Sequence, residues 1–213
     1  MDRPTDILIE RLAASVVPVR PLASPGVRAL KWLGVAVLWM LAAALMIQPR
    51  ADVIAAVRDP GFAAQAAVGV ATAMVAATAA FASVVPGYGA WRRAALMTVP
   101  VIWFIWFAGG AVLAGIHAPL AVVGSECLAS LLLFGSVPFV AIAVLLRRGA
   151  PLFPWRTLAW GALATGVLAD VGTRFCHTNG TRAHLVWHAA GVLVVVAIGI
   201  AAAPAVLRWR RAV

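Results

Sequence analysis

Residues 185–207 read LVWHAAGVLVVVAIGIAAAPAVL, and this stretch decides the fold class. Its 23 residues include no Asp, Glu, Lys or Arg, and about 20 apolar residues suffice for a helix to cross a bilayer. Lipid cannot satisfy the open hydrogen bonds of an irregular backbone, so the stretch is expected to be helical. Its apolar residues do not alternate with polar ones, which argues against a strand of a membrane barrel.

Five similar stretches precede it, at residues 29–47, 62–85, 94–116, 127–146 and 157–172. Hydrophobic residues make up 64% of the 213-residue chain and charged residues 11%, against about 25% charged residues in soluble domains. The sequence therefore predicts an all-α, polytopic protein. Its six transmembrane helices would form one bundle over residues 29–213, and residues 1–28 would form a short cytoplasmic arm. The alanine-rich run at 63–82 favours close helix packing.

The positive charges predict the orientation of this bundle. Thirteen of the 17 Lys and Arg residues fall in the N-terminal arm, the second-to-third loop, the fourth-to-fifth loop and the C-terminal tail. Positively charged loops stay in the cytoplasm, which predicts a multi-pass membrane protein with both termini in the cytoplasm. This distribution accounts for the net charge of +10, so no direct nucleic-acid partner is needed to explain it.

The arm is predicted to form a short amphipathic helix that ends before Pro18. The residues proposed to bind a partner combine an apolar stripe with one acidic residue: Ile7, Leu8, Glu10, Leu12 and Val16. The arm has no core of its own, so its stripe has to dock on the membrane, on the bundle or in a groove of a partner protein. Asp6 and Glu10 oppose docking on anionic lipid, but an interfacial anchor remains the alternative.

Every thiol and imidazole is predicted to lie on the outer side. These residues are Cys127, Cys176, His117, His177, His184 and His188. Thiolate and imidazole select soft or borderline ions such as copper or zinc, and an outer compartment also permits a disulfide. The candidate metal ligands are Cys127, Cys176, His177, His184 and His188, with no constitutive cofactor expected.

Simpler roles remain open for the same residues. Cys127 can be a small apolar residue of the membrane core, and His117 can be an interfacial polar residue. His184 and His188, which share a helix face, can hydrogen-bond within the bundle. Asp170 lies four residues before Arg174, and this pair is predicted to be structural.

Several segments together resemble the NrsF family, the negative regulators of sigma F. They are TDILIERLAASVVPVRPL at 5–22, SECLASLLLFGSVP at 125–138, LRRGAPLFP at 146–154, FCH at 175–177 and LVWH at 185–188. The resemblance implies a six-helix inner-membrane anti-sigma factor that holds a sigma factor of the extracytoplasmic-function (ECF) type inactive. It also implies that Cys127 and Cys176 match the paired cysteines with which the family senses heavy-metal or oxidative stress.

The resulting hypothesis is a non-enzymatic regulator whose arm captures the sigma factor and releases it when the outer residues bind metal or are oxidised. Two alternatives use the same cysteines, namely a membrane thiol oxidoreductase and a small metal transporter. The first would normally need a CxxC pair, which the sequence lacks. The second would need ionisable residues near the membrane midplane, and the apolar stretches contain almost none.

Overall fold

The computed structural model describes residues 3–16, 22–85, 98, 100–105, 124–149, 151–176 and 182–207, with residues 3, 4, 124–127 and 182–187 described by their backbone alone. Within these ranges the chain is all-helical and contains no strand. The helices are α1 (Arg3–Ala14), α2 (Pro25–Ile47), α3 (Val53–Arg58), α4 (Pro60–Ser83), α5 (Gly124–Leu146), α6 (Pro154–Thr173) and α7 (Arg182–Val206).

Four of the described helices are long and apolar enough to cross a membrane. They are α2, α4, the Leu128–Leu146 part of α5 and the His188–Val206 part of α7. These helices correspond to the first, second, fourth and sixth predicted spans. The fifth predicted span corresponds to α6, which is the most buried helix and carries polar residues such as Thr165 and Asp170 in its buried part. Helix α6 contacts α2, α4, α5 and α7, so it forms the centre of the bundle.

The alanine-rich helix α4 packs closely against α6, as its small residues predict. Gly69 faces the side chain of Val171 so closely that a Cβ atom would overlap it. A similar approach joins α6 and α7, because a Cβ atom on Gly199 would lie 2.6 Å from the Cβ atom of Ala162. Small residues therefore determine the helix spacing on two sides of α6.

Helix α2 runs antiparallel to α5, and two tryptophans join them. Trp32 donates from Nε1 to the carbonyl of Pro138, and Trp39 donates from Nε1 to the carbonyl of Leu133, each over 2.9 Å. The residue numbers rise along α2 while they fall along α5, which sets the antiparallel direction. Both indole N–H groups are thus satisfied inside an apolar bundle.

The bundle has two chemically different ends. The hydroxyls of Ser83 and Thr157 lie 2.7 Å apart, which places the end of α4 beside the start of α6. We call this the basic end, and it carries Arg28, Lys31, Arg147, Arg148 and Arg156. The opposite end, where α2 and α6 finish and α4 begins, is called the Cys176 end.

The third predicted span lies mostly outside the described residues. Its described part at 100–105 is helical, and Trp103 belongs to a buried cluster with Leu131 and Phe134. Helix α4 finishes at the basic end, whereas α5 starts at the Cys176 end. Residues 83 and 124 therefore lie at opposite ends of the bundle.

The helix boundaries differ slightly from those expected, for local reasons. Helix α2 begins at Pro25, a residue suited to a first helical turn, so it starts before residue 29 and includes Arg28. It ends before Gln48, whose φ of 75° is left-handed. Helix α4 begins at Pro60 because the Asp59 carboxylate accepts a hydrogen bond from the N–H of Phe62 over 2.7 Å.

Candidate functional site

Helix α1 is the described helix that stands apart from the bundle. It covers Arg3–Ala14, with Asp6 in its first turn and Arg11 in its last, so both charges oppose the helix dipole favourably. Each of its described side chains is exposed. It contacts none of the other described helices. The arm therefore forms the helix expected from its sequence, and its apolar side chains have no cover from the described bundle.

The apolar face of α1 differs from the stripe expected in one respect. Residues three or four positions apart are neighbours on a helix surface, so Leu8 and Ile9 both lie beside Leu12. Ile7 instead lies beside Glu10 and Arg11. We call Leu8, Ile9 and Leu12 the α1 apolar face; all three are more than half exposed, at 56%, 56% and 58%.

Ile9 was missing from the expected stripe, and helical spacing from Leu12 is the signal that would have found it. Val16 follows the end of the helix and is 71% exposed. Glu10 is exposed on the other side of α1, with Ile7. The α1 apolar face is thus narrower than the proposed set of binding residues.

At the opposite end of the bundle, Cys176 lies in the turn that follows α6. Its thiol is free and partly buried against the cluster that contains Trp103 and Phe134. Burial raises the pKa of the Cys176 thiol above its ordinary value, because the thiolate loses hydration. At neutral pH the thiol form therefore dominates, and a metal or oxidant has to overcome this desolvation cost to engage the thiolate.

The segment of Cys176 is tied to two other parts of the chain. The carbonyl of Phe175 accepts a hydrogen bond from the N–H of Arg50, which follows α2, over 3.0 Å. The ring of Phe175 also packs edge-on against Phe62 in α4, with 5.3 Å between centroids. Phe175 therefore connects the segment of Cys176 to the end of α2 and the start of α4.

A buried cluster of polar residues lies near Cys176, at the end of α6. The Arg174 guanidinium donates to Asp170 Oδ2 from Nε and Nη2, over 3.2 and 2.9 Å, and from Nη1 to Gln65 Oε1 over 2.6 Å. His188 Nδ1 lies 2.5 Å from Asp170 Oδ1. An imidazole that carries its proton on Nδ1 can donate it to this oxygen. Gln65, Asp170, Arg174 and His188 are called the Asp170 cluster.

The Asp170 cluster joins α4, α6 and α7 at the Cys176 end. Asp170, Arg174 and His188 are buried, at 2%, 7% and 4% exposure. Pairing is what allows an ionisable group to remain in an apolar helix bundle. The expected pair of Asp170 and Arg174 is therefore observed. Gln65 and His188, which the sequence did not connect to it, join the same cluster.

The structure describes only part of the candidate sensor. Cys176 and His188 are described. Cys127 and His184 lie in α5 and α7, but their side chains are outside the described residues, as are His117 and His177 entirely. Among the described residues, no group of three or more His, Cys, Asp and Glu side chains is placed to hold a metal.

Gln65 is a cluster residue that sequence reasoning missed. It is a lone amide in the alanine-rich helix α4, where other residues near it are small or apolar. A polar side chain in an apolar span has to find a partner, and this was the available signal. The pairing of His188 with Asp170 had no such signal, since it joins residues 18 positions apart in two helices.

The family of the chain follows from a comparison with known families. The family described as "Negative regulator of sigma F", NrsF, matches residues 12–209. The chain belongs to the NrsF family. The match includes the bundle, Cys127, Cys176 and the Asp170 cluster, whereas most of α1 precedes it. NrsF proteins are described as regulators, a role that requires no catalysis. No curated protein and no solved structure matches the chain.

Proposed function

We propose that this NrsF protein is a membrane anti-sigma factor that captures an ECF sigma factor through α1. The observation that supports this most strongly is the α1 apolar face. Leu8, Ile9 and Leu12 are exposed on a helix that contacts no other described helix. An amphipathic helix of this kind fits a hydrophobic groove in a partner. Binding there would keep the sigma factor from RNA polymerase.

In the proposed arrangement the protein spans the bacterial inner membrane with the basic end and both termini in the cytoplasm. The charges support this orientation. Arg28, Lys31, Arg147, Arg148 and Arg156 mark one end, while the described acids of the bundle, Asp52, Asp59 and Asp170, lie towards the other. Positive residues are retained on the cytoplasmic side. Helix α1 then faces the compartment in which a sigma factor acts.

The proposed signal is metal binding or oxidation at the Cys176 end. Cys127 and Cys176 would be the sensing thiols, with His177, His184 and His188 as further ligands of a copper or zinc ion. The contact between Asp170 and His188 is compatible with this role, because metal-bound histidines usually donate their second N–H to a carboxylate. A metal on His188 would therefore bind through Nε2.

Oxidation is the alternative signal. Two thiols would form a disulfide and release two protons and two electrons to an oxidant such as a peroxide. A disulfide contributes about 2–4 kcal/mol, whereas complete reversal of a two-state switch needs about 5.5 kcal/mol. Ligation of a metal contributes about 10 kcal/mol or more in structural sites. These magnitudes favour metal as the signal, unless the sigma-binding and sigma-releasing states of the resting protein already have similar free energies.

Sigma capture is tested by co-purification in detergent of the full-length protein with a co-expressed ECF sigma factor from the same genome. The Leu8→Asp/Leu12→Asp variant should lose the sigma factor. Leu152→Asp is the matched control, because Leu152 is also an exposed leucine at the basic end but lies outside α1. Capture that survives in the double variant, or is lost equally in the control, would contradict the proposed interface.

Sensing is tested separately on the captured complex. Copper, zinc or peroxide should release the sigma factor from the parent but not from Cys127→Ser or Cys176→Ser. Asp52→Asn serves as control, since it changes an exposed residue at the Cys176 end. Release that persists in both cysteine variants would refute the sensor while leaving the capture proposal intact.

A further inference from the structure

The basic end contains a buried guanidinium group whose N–H donors do not all have hydrogen-bond acceptors. Arg28 lies in the first turns of α2 and is 6% exposed. Its Nη2 donates to the carbonyl of Leu145 over 2.6 Å, and its guanidinium carbon lies 4.5 Å from the ring centroid of Phe81. Its Nη1 is buried and has no hydrogen-bond partner. An unpaired N–H of a buried cation is unfavourable and calls for an acceptor.

A second cation makes this arrangement more unfavourable. Arg148 follows the end of α5 and lies close to Arg28, because its backbone N–H donates over 3.4 Å to the same Leu145 carbonyl that accepts from Arg28 Nη2. The described acidic side chains of the bundle, Asp52, Asp59 and Asp170, all lie towards the Cys176 end. No described carboxylate of the bundle pairs with either arginine, and this favours an anion from elsewhere.

We propose that Arg28 and Arg148 bind a phosphate group at the basic end. The planar fork of a guanidinium matches the oxygens of a phosphate, and Arg can bind it through two parallel N–H bonds. The phosphate comes either from the headgroup of an anionic phospholipid or from free inorganic phosphate. Nη1 is shielded from solvent, so the Arg28 side chain has to turn outwards for this donor to meet a phosphate oxygen, whose charge then offsets the repulsion by Arg148.

The position favours a lipid headgroup as the source. Arg28 and Arg148 lie where α2 begins and α5 has just ended, and both helices are long and apolar enough to span a bilayer. Helix ends of this kind lie at the depth of the headgroups. The inference relies on the membrane assignment of the proposed function and is independent of sigma capture.

The site has a consequence for the arm. Arg28 stands four residues after Ser24, whose carbonyl accepts a hydrogen bond from the N–H of Arg28 over 3.1 Å. A phosphate bound to Arg28 therefore fixes the start of α2, which is the point from which the arm extends.

The proposal is tested on the full-length protein in a non-ionic detergent. Short-chain phosphatidylglycerol, phosphatidylcholine and inorganic phosphate are titrated separately, and the midpoint of thermal unfolding is recorded, with bound lipid counted by native mass spectrometry. Phosphatidylglycerol should raise the midpoint saturably, and phosphatidylcholine should bind at least about tenfold more weakly. Stabilisation by inorganic phosphate at similar concentrations would identify free phosphate as the source.

Variants then locate the site. Arg28→Gln and Arg148→Gln should each weaken phosphatidylglycerol binding at least about tenfold. Arg156→Gln is the matched control, because Arg156 is exposed at the same end and stacks on Phe153 and Trp155. Arg148 is exposed, so its variant remains informative if Arg28→Gln fails to fold. Equal binding of both lipids by the parent, unchanged binding by Arg148→Gln, or equal loss in Arg156→Gln would each overturn the proposal.

Discussion

Helices α1 and α6 both carry polar and apolar residues, but they differ in how far their side chains are buried. Helix α1 exposes each of its described side chains, including Leu8 and Leu12, whereas α6 buries nearly everything from Thr157 to Thr173. Helix α6 contacts four other helices and turns Asp170 inward into the Asp170 cluster. Helix α1 has no neighbour in the described bundle, so its apolar face is left for another molecule. Burial therefore separates the helix that holds the fold from the helix proposed to recognise a partner.

This contrast predicts that α6 variants affect stability most strongly. Asp170→Ala leaves Arg174 buried without its carboxylate, and loss of one partner of a buried pair costs about 3–5 kcal/mol. Thermal and denaturant unfolding in detergent measure the change. The control is Asp52→Asn, which removes the exposed pair with Arg50 and should leave stability unchanged. Similar unfolding of the two variants would mean that the Asp170 cluster does not hold the bundle.

Changes in α1 should have the reverse effect, with binding lost and stability kept. Leu12→Asp should weaken sigma capture by about 2 kcal/mol, roughly 30-fold, as expected for a central interface residue. Ile9→Asp should behave in the same way. Ile7→Asp is the control on the opposite side of the same helix and should retain capture. Equal loss in Ile7→Asp would show that the interface is not confined to the α1 apolar face.

The close packing around α6 provides a third comparison. Gly199→Ala would place a Cβ atom 2.6 Å from the Cβ atom of Ala162, and overpacking of this kind costs about 1–3 kcal/mol. Gly34→Ala should cost nothing, since no atom lies within 4 Å of a Cβ atom built there, and alanine favours a helix. The free energies of unfolding of the two variants compare a helix face packed against α6 with a helix face that has no close neighbour. Equal stability would show that α6 and α7 separate easily.

The smallest expected effect concerns Cys176. Its raised pKa predicts that maleimide labelling in the Cys127→Ser background increases with pH and has its midpoint above that of a peptide thiol, about 8.5. At pH 7 labelling should therefore be slower than for the same protein unfolded in dodecyl sulfate. A midpoint at or below the peptide value would indicate a reactive thiolate.

The same labelling reports orientation when intact cells and an impermeant maleimide are used. Labelling of Cys176 from outside supports the proposed topology. Labelling that requires cell lysis would contradict it.

Hydropathy alone predicted α2, α4, α5, α6 and α7, because a helix surrounded by apolar material needs apolar residues on most sides. The pairing of Asp170 with Arg174 was also predictable, since four residues along a helix return to the same face. Hydropathy could not predict which helices pack together. An apolar residue facing lipid and one facing another helix look alike in sequence, so the central place of α6 was not foreseen.

The same reasoning explains what was missed at the candidate sites. Gln65 and His188 reach Asp170 from other helices, and no local pattern connects them. On α1, the order of residues suggested Ile7, whereas the helical surface pairs Ile9 with Leu12. The Arg28 site was missed because it depends on a buried N–H group, Nη1, that has no hydrogen-bond partner. Sequence alone does not show whether a side-chain donor is buried or paired.

The polar character of α6 bears on how the protein is made. Helix α6 is absent from the described helices apolar enough to span a membrane alone, yet it contacts α2, α4, α5 and α7. Three of these four are synthesised before it. In the proposed membrane arrangement, we therefore expect α6 to insert by packing against helices that are already in place. Helix α7 then delivers His188 last and completes the assembly.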